Sequence, residues 1–228
     1  MTLAQRRLRA RVWLAWRRML LWPLATLLEW DWNRHVVDRY ADIDLIYGTT
    51  MQPHRDRFVF AVREALDLIR ETDPCRFAMV RRHVRRIIGE RLVGCIGTYD
   101  PHFAACLIDI AQHGIGGAGE ADRWGAARVA ATIIHEATHG RLEAAGFMYA
   151  EPLRAMIERL CHHEERCFAE RLCRADPGYT HSVVPRFHVA RWYWLWYAGF
   201  WERLRRAWRR THRGEPSAGR KGLGERRR

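Results

Sequence analysis

Lysine is almost missing from this sequence: Lys221 is the only one among 39 basic residues, and arginine supplies the rest. The six cysteines, Cys75, Cys95, Cys106, Cys161, Cys167 and Cys173, form no CxxC pair, which argues against a structural zinc knuckle. Three of them recur along one predicted helix, a spacing unsuited to mutual disulfides, so buried thiols in a reducing compartment are expected. Long apolar runs are also lacking. The uncharged stretch Met19–Leu28 has ten residues, and a spanning helix needs about twenty. The glycine-rich run Gly114–Gly119 lacks the Lys-Ser/Thr of a phosphate loop and the spacing of a dinucleotide fingerprint, so it reads as a loop. No internal repeat is present.

What charge there is sits at the ends. Residues 1–18 hold six Arg and no acid, giving +6. Residues 201–228 hold ten Arg and one Lys against three Glu, giving +8, which leaves −1 of the total +13 for residues 19–200. Tryptophan follows the same split, with Trp124 alone between Trp32 and Trp192. Arg/Trp-rich ends of this kind fit three readings: packing against each other with solvated charges, an anionic membrane surface, or, lower in order, nucleic acid. No small-x-small cleavage site follows the apolar stretch, so a cytoplasmic location is expected, with peripheral attachment at the inner face of the membrane as the membrane reading would have it.

With 228 residues, nearly half of them hydrophobic, the chain can build one real core. The expected class is α+β, predominantly helical, with a small sheet. The expected organisation is a basic Trp-rich helical segment over 1–40, a metal-binding domain over 41–190, an aromatic and basic helix over 191–212 and a disordered basic tail over 213–228. Helical spacing of apolar residues covers 55–72, and Asp73-Pro74 closes that helix. Phe77–Ile88 fits helix or strand. Ala104–Ile110 reads as a short buried strand. A helix over 122–145 has Asp122 as N-cap and Gly146 as C-cap. A second starts at Glu151-Pro152 and runs to about Arg174.

Within the first of these helices, residues 129–140 read VAATIIHEATHG. His135 and His139 are i and i+4, so both imidazoles face one way and can hold one zinc ion. Glu136 is rotated from them and can take a proton from a water on that ion, whose acidity the metal raises. A hydrolytic zinc site needs a third protein ligand. The second helix offers Glu158, Glu164 and Glu165. If the helices form an antiparallel hairpin, His139 and Glu158 both stand about 10 Å from the turn, and Glu165 overshoots by about 10 Å more. Phase does not separate Glu158 from Glu165, and Glu164 falls within the stripe of Leu153, Ile157, Leu160 and Phe168. Height favours Glu158, with Glu165 and then Glu164 as alternatives. Tyr149, Tyr179 and His181 are candidate donors to an oxyanion, by position alone.

His135-Glu136-x-x-His139, eighteen residues, then Glu158 resembles the gluzincin family of zinc metallopeptidases, HExxH-x18-E. The likeness covers residues 127–172, and the segment HEATHGRL with its Glu-rich second helix also looks like small bacterial zincin-like proteins. It implies His135, His139 and Glu158 as ligands of one Zn2+, Glu136 as general base, a peptide or protein substrate, and an edge strand that pairs with it, for which Ala104–Ile110 is the candidate. Thermolysin-like relatives place an acid four residues after the ligand glutamate; that position here is His162.

Overall fold

A computed structural model of the chain describes residues 26–48, 55–92, 95–109, 112–113, 123–150 and 153–179. Residues 1–25 and 180–228, which hold most of the Arg/Trp-rich ends and His181, lie outside them, as do Asp122 and Glu151-Pro152. Backbone contacts divide the chain into two units, Met1–Leu92 with Ile96–Phe187, and Val93–Cys95 with His188–Arg228. All elements below belong to the first.

The class is α+β, as expected. Helix α1 includes residues 26–34. Strands β1 (Val36–Tyr40) and β2 (Ile43–Tyr47) form a hairpin, so the last residues of the expected N-terminal segment enter the sheet. Helices α2 (Arg55–Thr72) and α3 (Pro74–His83) follow, then β3 (Arg86–Glu90), β4 (Gly97–Asp100), β5 (Ala105–Asp109), α4 (Arg123–Ala144) and α5 (Arg154–Ala175). The sheet order is β1-β2-β3-β5-β4; β2, β3 and β5 run parallel, and the two outer strands are antiparallel to their neighbours.

Two expectations change here. Phe77–Ile88 is both helix and strand, split where Val84 leaves helical geometry. Ala104–Ile110 does contain a strand, but β5 is internal; the edge beside it is β4, the polar tetrapeptide GTYD.

Parallel strands need cover on both faces. On one face, Phe58, Ala61, Val62, Ala65, Leu66 and Ile69 of α2 repeat at helical spacing and join Leu45, Ile87 and Ile108 in the main core. On the other, Ile46, Ile88 and Ala105 pack under Trp32 and Phe103. Helix α4 runs through the main core, and Ala127, Val129, Ala130, Ile133, Ile134 and Ala137 are all fully buried. Its alanines let α2, α3 and α5 approach closely. Among the described residues no helix is long and apolar enough to cross a membrane.

The turn after α4 fixes its relation to α5. Gly146 has φ 90°, a conformation that favours glycine. Gly146 N–H donates to Glu143 O and Phe147 N–H to Leu142 O, at 2.8 and 2.9 Å, and Phe147 packs on Leu142. This is a Schellman cap with its hydrophobic contact. It sends the chain back, so that α5 lies along α4. Behind the site, Arg76 of α3 and Arg141 of α4 both donate to Glu164 of α5, at 2.6 and 2.9 Å. Asp73, fully buried, caps α3 and pairs with Arg76 and with Arg171 of α5.

Candidate metal centre

The face that α5 turns inward carries polar residues at helical spacing: Glu158, Cys161, His162 and Glu165, continued by Phe168, Ala169 and Leu172. Leu160, expected in the apolar stripe, is exposed. Across from this face stand His135 and Glu136, both buried, and His139. Buried charge of this density is costly unless paired or bound to a metal.

Three donor atoms converge. His135 Nε2 and His139 Nε2 are 3.1 Å apart. A Glu158 oxygen is 3.3 Å from the first, and its other oxygen is 3.6 Å from the second. Ligands of a tetrahedral zinc at 2.0–2.1 Å are about 3.3 Å from each other. Glu158 Oε2 is buried, and its contact with His135 Nε2 is an ion pair at 3.3 Å without an aligned hydrogen bond. Two nitrogens and a carboxylate oxygen form a donor set that suits zinc, and the separations fit it.

The other two glutamates are placed elsewhere. Glu164 is held by Arg76 and Arg141 and takes no part. Glu165 does reach His135, but at Nδ1, 3.1 Å away. The Nε2 edge of His135 faces His139, so Glu165 stands behind the ring, where it would act as an orienting acceptor were an ion held between the two histidines. Its second oxygen is 2.5 Å from His162 Nδ1. His135, His162 and Glu165 also offer atoms within 4.8 Å of one another, as do His135, His139 and Cys161. The first of these groups uses the far edge of the imidazole, and its geometry is that of an orienting network. The acid absent four residues after Glu158 is thus supplied three residues later still. Sequence spacing offers Glu165 only as an alternative ligand, because the family places its supporting acid four residues after the ligand glutamate.

Glu165→Gln keeps the shape and removes the charge behind His135. Zinc affinity is expected to fall roughly 10- to 100-fold, measured by competition with a chromophoric chelator. An unchanged affinity would detach Glu165 from the site.

Glu136 points differently. A Cβ built on Gly97 of β4 would lie 2.9 Å from Glu136 Oε1 and 2.6 Å from Thr132 Cγ2. The glycine therefore lets the carboxylate sit directly against the edge strand. Thr132 is held in turn by buried His113, whose Nε2 is 3.0 Å from the Thr132 hydroxyl and whose Nδ1 is 2.8 Å from Asp109 O. Gly97→Ala is expected to cost about 1–3 kcal/mol of stability by overpacking while any metal uptake stays unchanged. Denaturation midpoints beside metal analysis check both. Gly140 has a parallel role: a Cβ there would meet the Tyr99 ring at 2.7 Å, and the Tyr99 phenol crosses it to donate to His83 O at 2.9 Å.

Of the three oxyanion candidates, Tyr149 is at the site. Its hydroxyl donates to Glu158 Oε1 at 2.5 Å, and its ring stands edge-on to His139 with centroids 5.0 Å apart. Tyr179 is a core residue.

Buried groups of both charge signs shift one another here. Burial lowers His135, but Glu165 and Glu158 outweigh it and hold the imidazole well above its usual value. Burial and then the His135 charge push His139 down to about 4. Glu158 is resisted by burial, yet His135 and His139 draw it down to about 2. Burial, then Glu158 and Glu165, raise Glu136 to about 8 against the pull of His135. Burial and then Glu158 raise the Tyr149 phenol, so it stays a donor.

A pH dependence follows. His135 is raised, so its ion pairs stabilise the metal-free fold fully below about pH 6.5 and are lost as pH climbs through the folded value. Zinc needs the imidazole neutral and displaces that proton. The rise in Tm on adding zinc is expected to grow from about pH 6 to about pH 8, with proton release on binding. Differential scanning fluorimetry and calorimetry in two buffers measure these; a gain independent of pH would contradict them.

Comparisons with protein-family models, with curated proteins and with solved structures returned no match.

Proposed function

We propose that the chain is a zinc-dependent hydrolase with a zincin-like fold and a peptide or protein substrate. The observation that carries this reading is the convergence of His135 Nε2, His139 Nε2 and Glu158 at 3.1 to 3.6 Å, beside a second buried carboxylate, Glu136, that pairs with no arginine among the described residues. One zinc ion held there would polarise a carbonyl and bring the pKa of water towards neutrality.

The chain's own groups divide the remaining work. Glu136 accepts the proton of the attacking water and returns it to the leaving amine. Its raised pKa describes the metal-free site, and a neighbouring cation favours the ionised form that a base requires. Tyr149, protonated and beside Glu158, can donate to an oxyanion. Glu165 keeps the His135 ring turned so that Nε2 faces the metal. Strand β4 closes the sheet next to Glu136, so an extended peptide adding to its outer edge would pass the carboxylate. That juxtaposition supports a peptide over a small-molecule substrate.

The test is cleavage of a quenched-fluorescent peptide library by the full chain. Cleavage is expected to stop with a chelator, return with zinc and be absent in Glu136→Gln. Cleavage indifferent to chelator, or retained in Glu136→Gln, would contradict the reading.

A further inference from the structure

Cys161 is one turn beyond Glu158 on the same face of α5, and it is fully buried. Its Sγ lies within 4.8 Å of ring nitrogens of both His135 and His139, which are themselves within that distance of each other. In a tetrahedral site a thiolate sulfur at 2.3 Å and an imidazole nitrogen at 2.0–2.1 Å are about 3.5 Å apart. The separation seen here exceeds that by little more than about 1 Å at most, a shift of the size a side-chain torsion gives. Leu142, Ile157 and Phe147 pack around the thiol. Packing alone would be served by any small apolar residue. The second sign is Glu158 Oε2, buried without an aligned hydrogen bond and 3.3 Å from Nε2 of His135, a ring the thiol also approaches.

We propose that Cys161 is a fourth protein ligand of the metal, so that the loaded resting site is His135, His139, Glu158 and the Cys161 thiolate. This rests on the zinc reading above and deepens it. On binding, the thiol gives its proton to solvent and its sulfur lone pair to the metal; no electrons are transferred. Four protein donors close a tetrahedral shell, the arrangement of structural rather than hydrolytic sites. Water or a substrate oxygen then enters only where the thiolate lets go. The thiolate therefore competes with water for the fourth position: wild type hydrolyses through the fraction from which the thiolate has dissociated, and removal of the thiolate opens the site fully.

The test uses the full chain loaded with Co2+ in place of zinc, as wild type, Cys161→Ala and Cys161→Ser. Wild type is expected to show tetrahedral ligand-field bands together with a near-ultraviolet thiolate-to-cobalt charge-transfer band. Both variants are expected to keep the first and lose the second entirely. Acetohydroxamate, a small chelating probe of open sites, should perturb the cobalt spectrum of Cys161→Ala at concentrations that leave wild type unchanged. Ligand-field bands without a charge-transfer band in wild type would overturn the role of Cys161 while leaving the His/Glu site standing; that outcome needs no variant to fold. A charge-transfer band that persists in both variants would assign the sulfur to another cysteine and overturn it equally. No cobalt bands in any of the three would overturn the metal site itself, and this inference with it.

Discussion

Replacing Glu136 with glutamine is expected to leave one zinc per chain and to lower hydrolysis by roughly 100- to 10,000-fold, the contribution of a positioned general base. The substitution conserves shape, and Glu136 Oε1 lies against Gly97 of β4. It also removes a group that burial and two neighbouring glutamates already hold up at about 8 in the metal-free protein. Folding should therefore be unharmed or slightly improved. Steady-state rates and metal content on the same preparation separate the two effects. Loss of zinc together with activity would move Glu136 from proton transfer to metal binding.

The second large effect concerns Glu158. Glu158→Ala is expected to abolish stoichiometric zinc binding, because it removes one of three converging donors. It also strips His135 and Tyr149 of their shared partner. Loss of one partner from a buried charged pair costs about 3–5 kcal/mol, so the metal-free variant should melt well below wild type. Glu164→Gln is the control. It breaks the clamp formed by Arg76 and Arg141 and lowers stability, yet it should still bind one zinc. Zinc retained in Glu158→Ala but lost in Glu164→Gln would reverse the assignment.

Much of this site could be read from residue spacing. The i, i+4 histidines required a helix, and Gly146 marked where that helix ends. Equal distances from the turn then placed Glu158 opposite His139. Helix rise is constant and a Schellman cap makes the two helices antiparallel, so spacing translates into height. Spacing was less informative about Glu165. Two turns beyond Glu158, Glu165 is too far along to share a metal, yet near enough to reach the opposite edge of the same imidazole. One-dimensional height does not distinguish the two nitrogens of a ring.

The edge strand was legible only in part. Ala104–Ile110 is apolar because β5 is internal and covered on both faces. The true edge, Gly97–Asp100, is short and polar, as an exposed edge must be, and such a segment carries no hydrophobic pattern to find. Gly97 owes its identity to a contact with α4, more than thirty positions later in the chain. Cys161 was legible as a buried thiol, but its place beside two imidazoles depends on how α5 packs on α4. Cys106 and Cys161 are buried, Cys95, Cys167 and Cys173 are half-buried and Cys75 is exposed, so the expectation of buried thiols holds in full for two of the six.

The central claim is that His135, His139 and Glu158 hold one zinc ion. Its most direct test is elemental analysis of the full chain purified without chelators, beside a zinc titration of protein stripped and dialysed. The account predicts one equivalent of zinc, recovered on titration and missing in His135→Ala, His139→Ala and Glu158→Ala. A wild-type chain that carries no transition metal and takes up none on titration would contradict it.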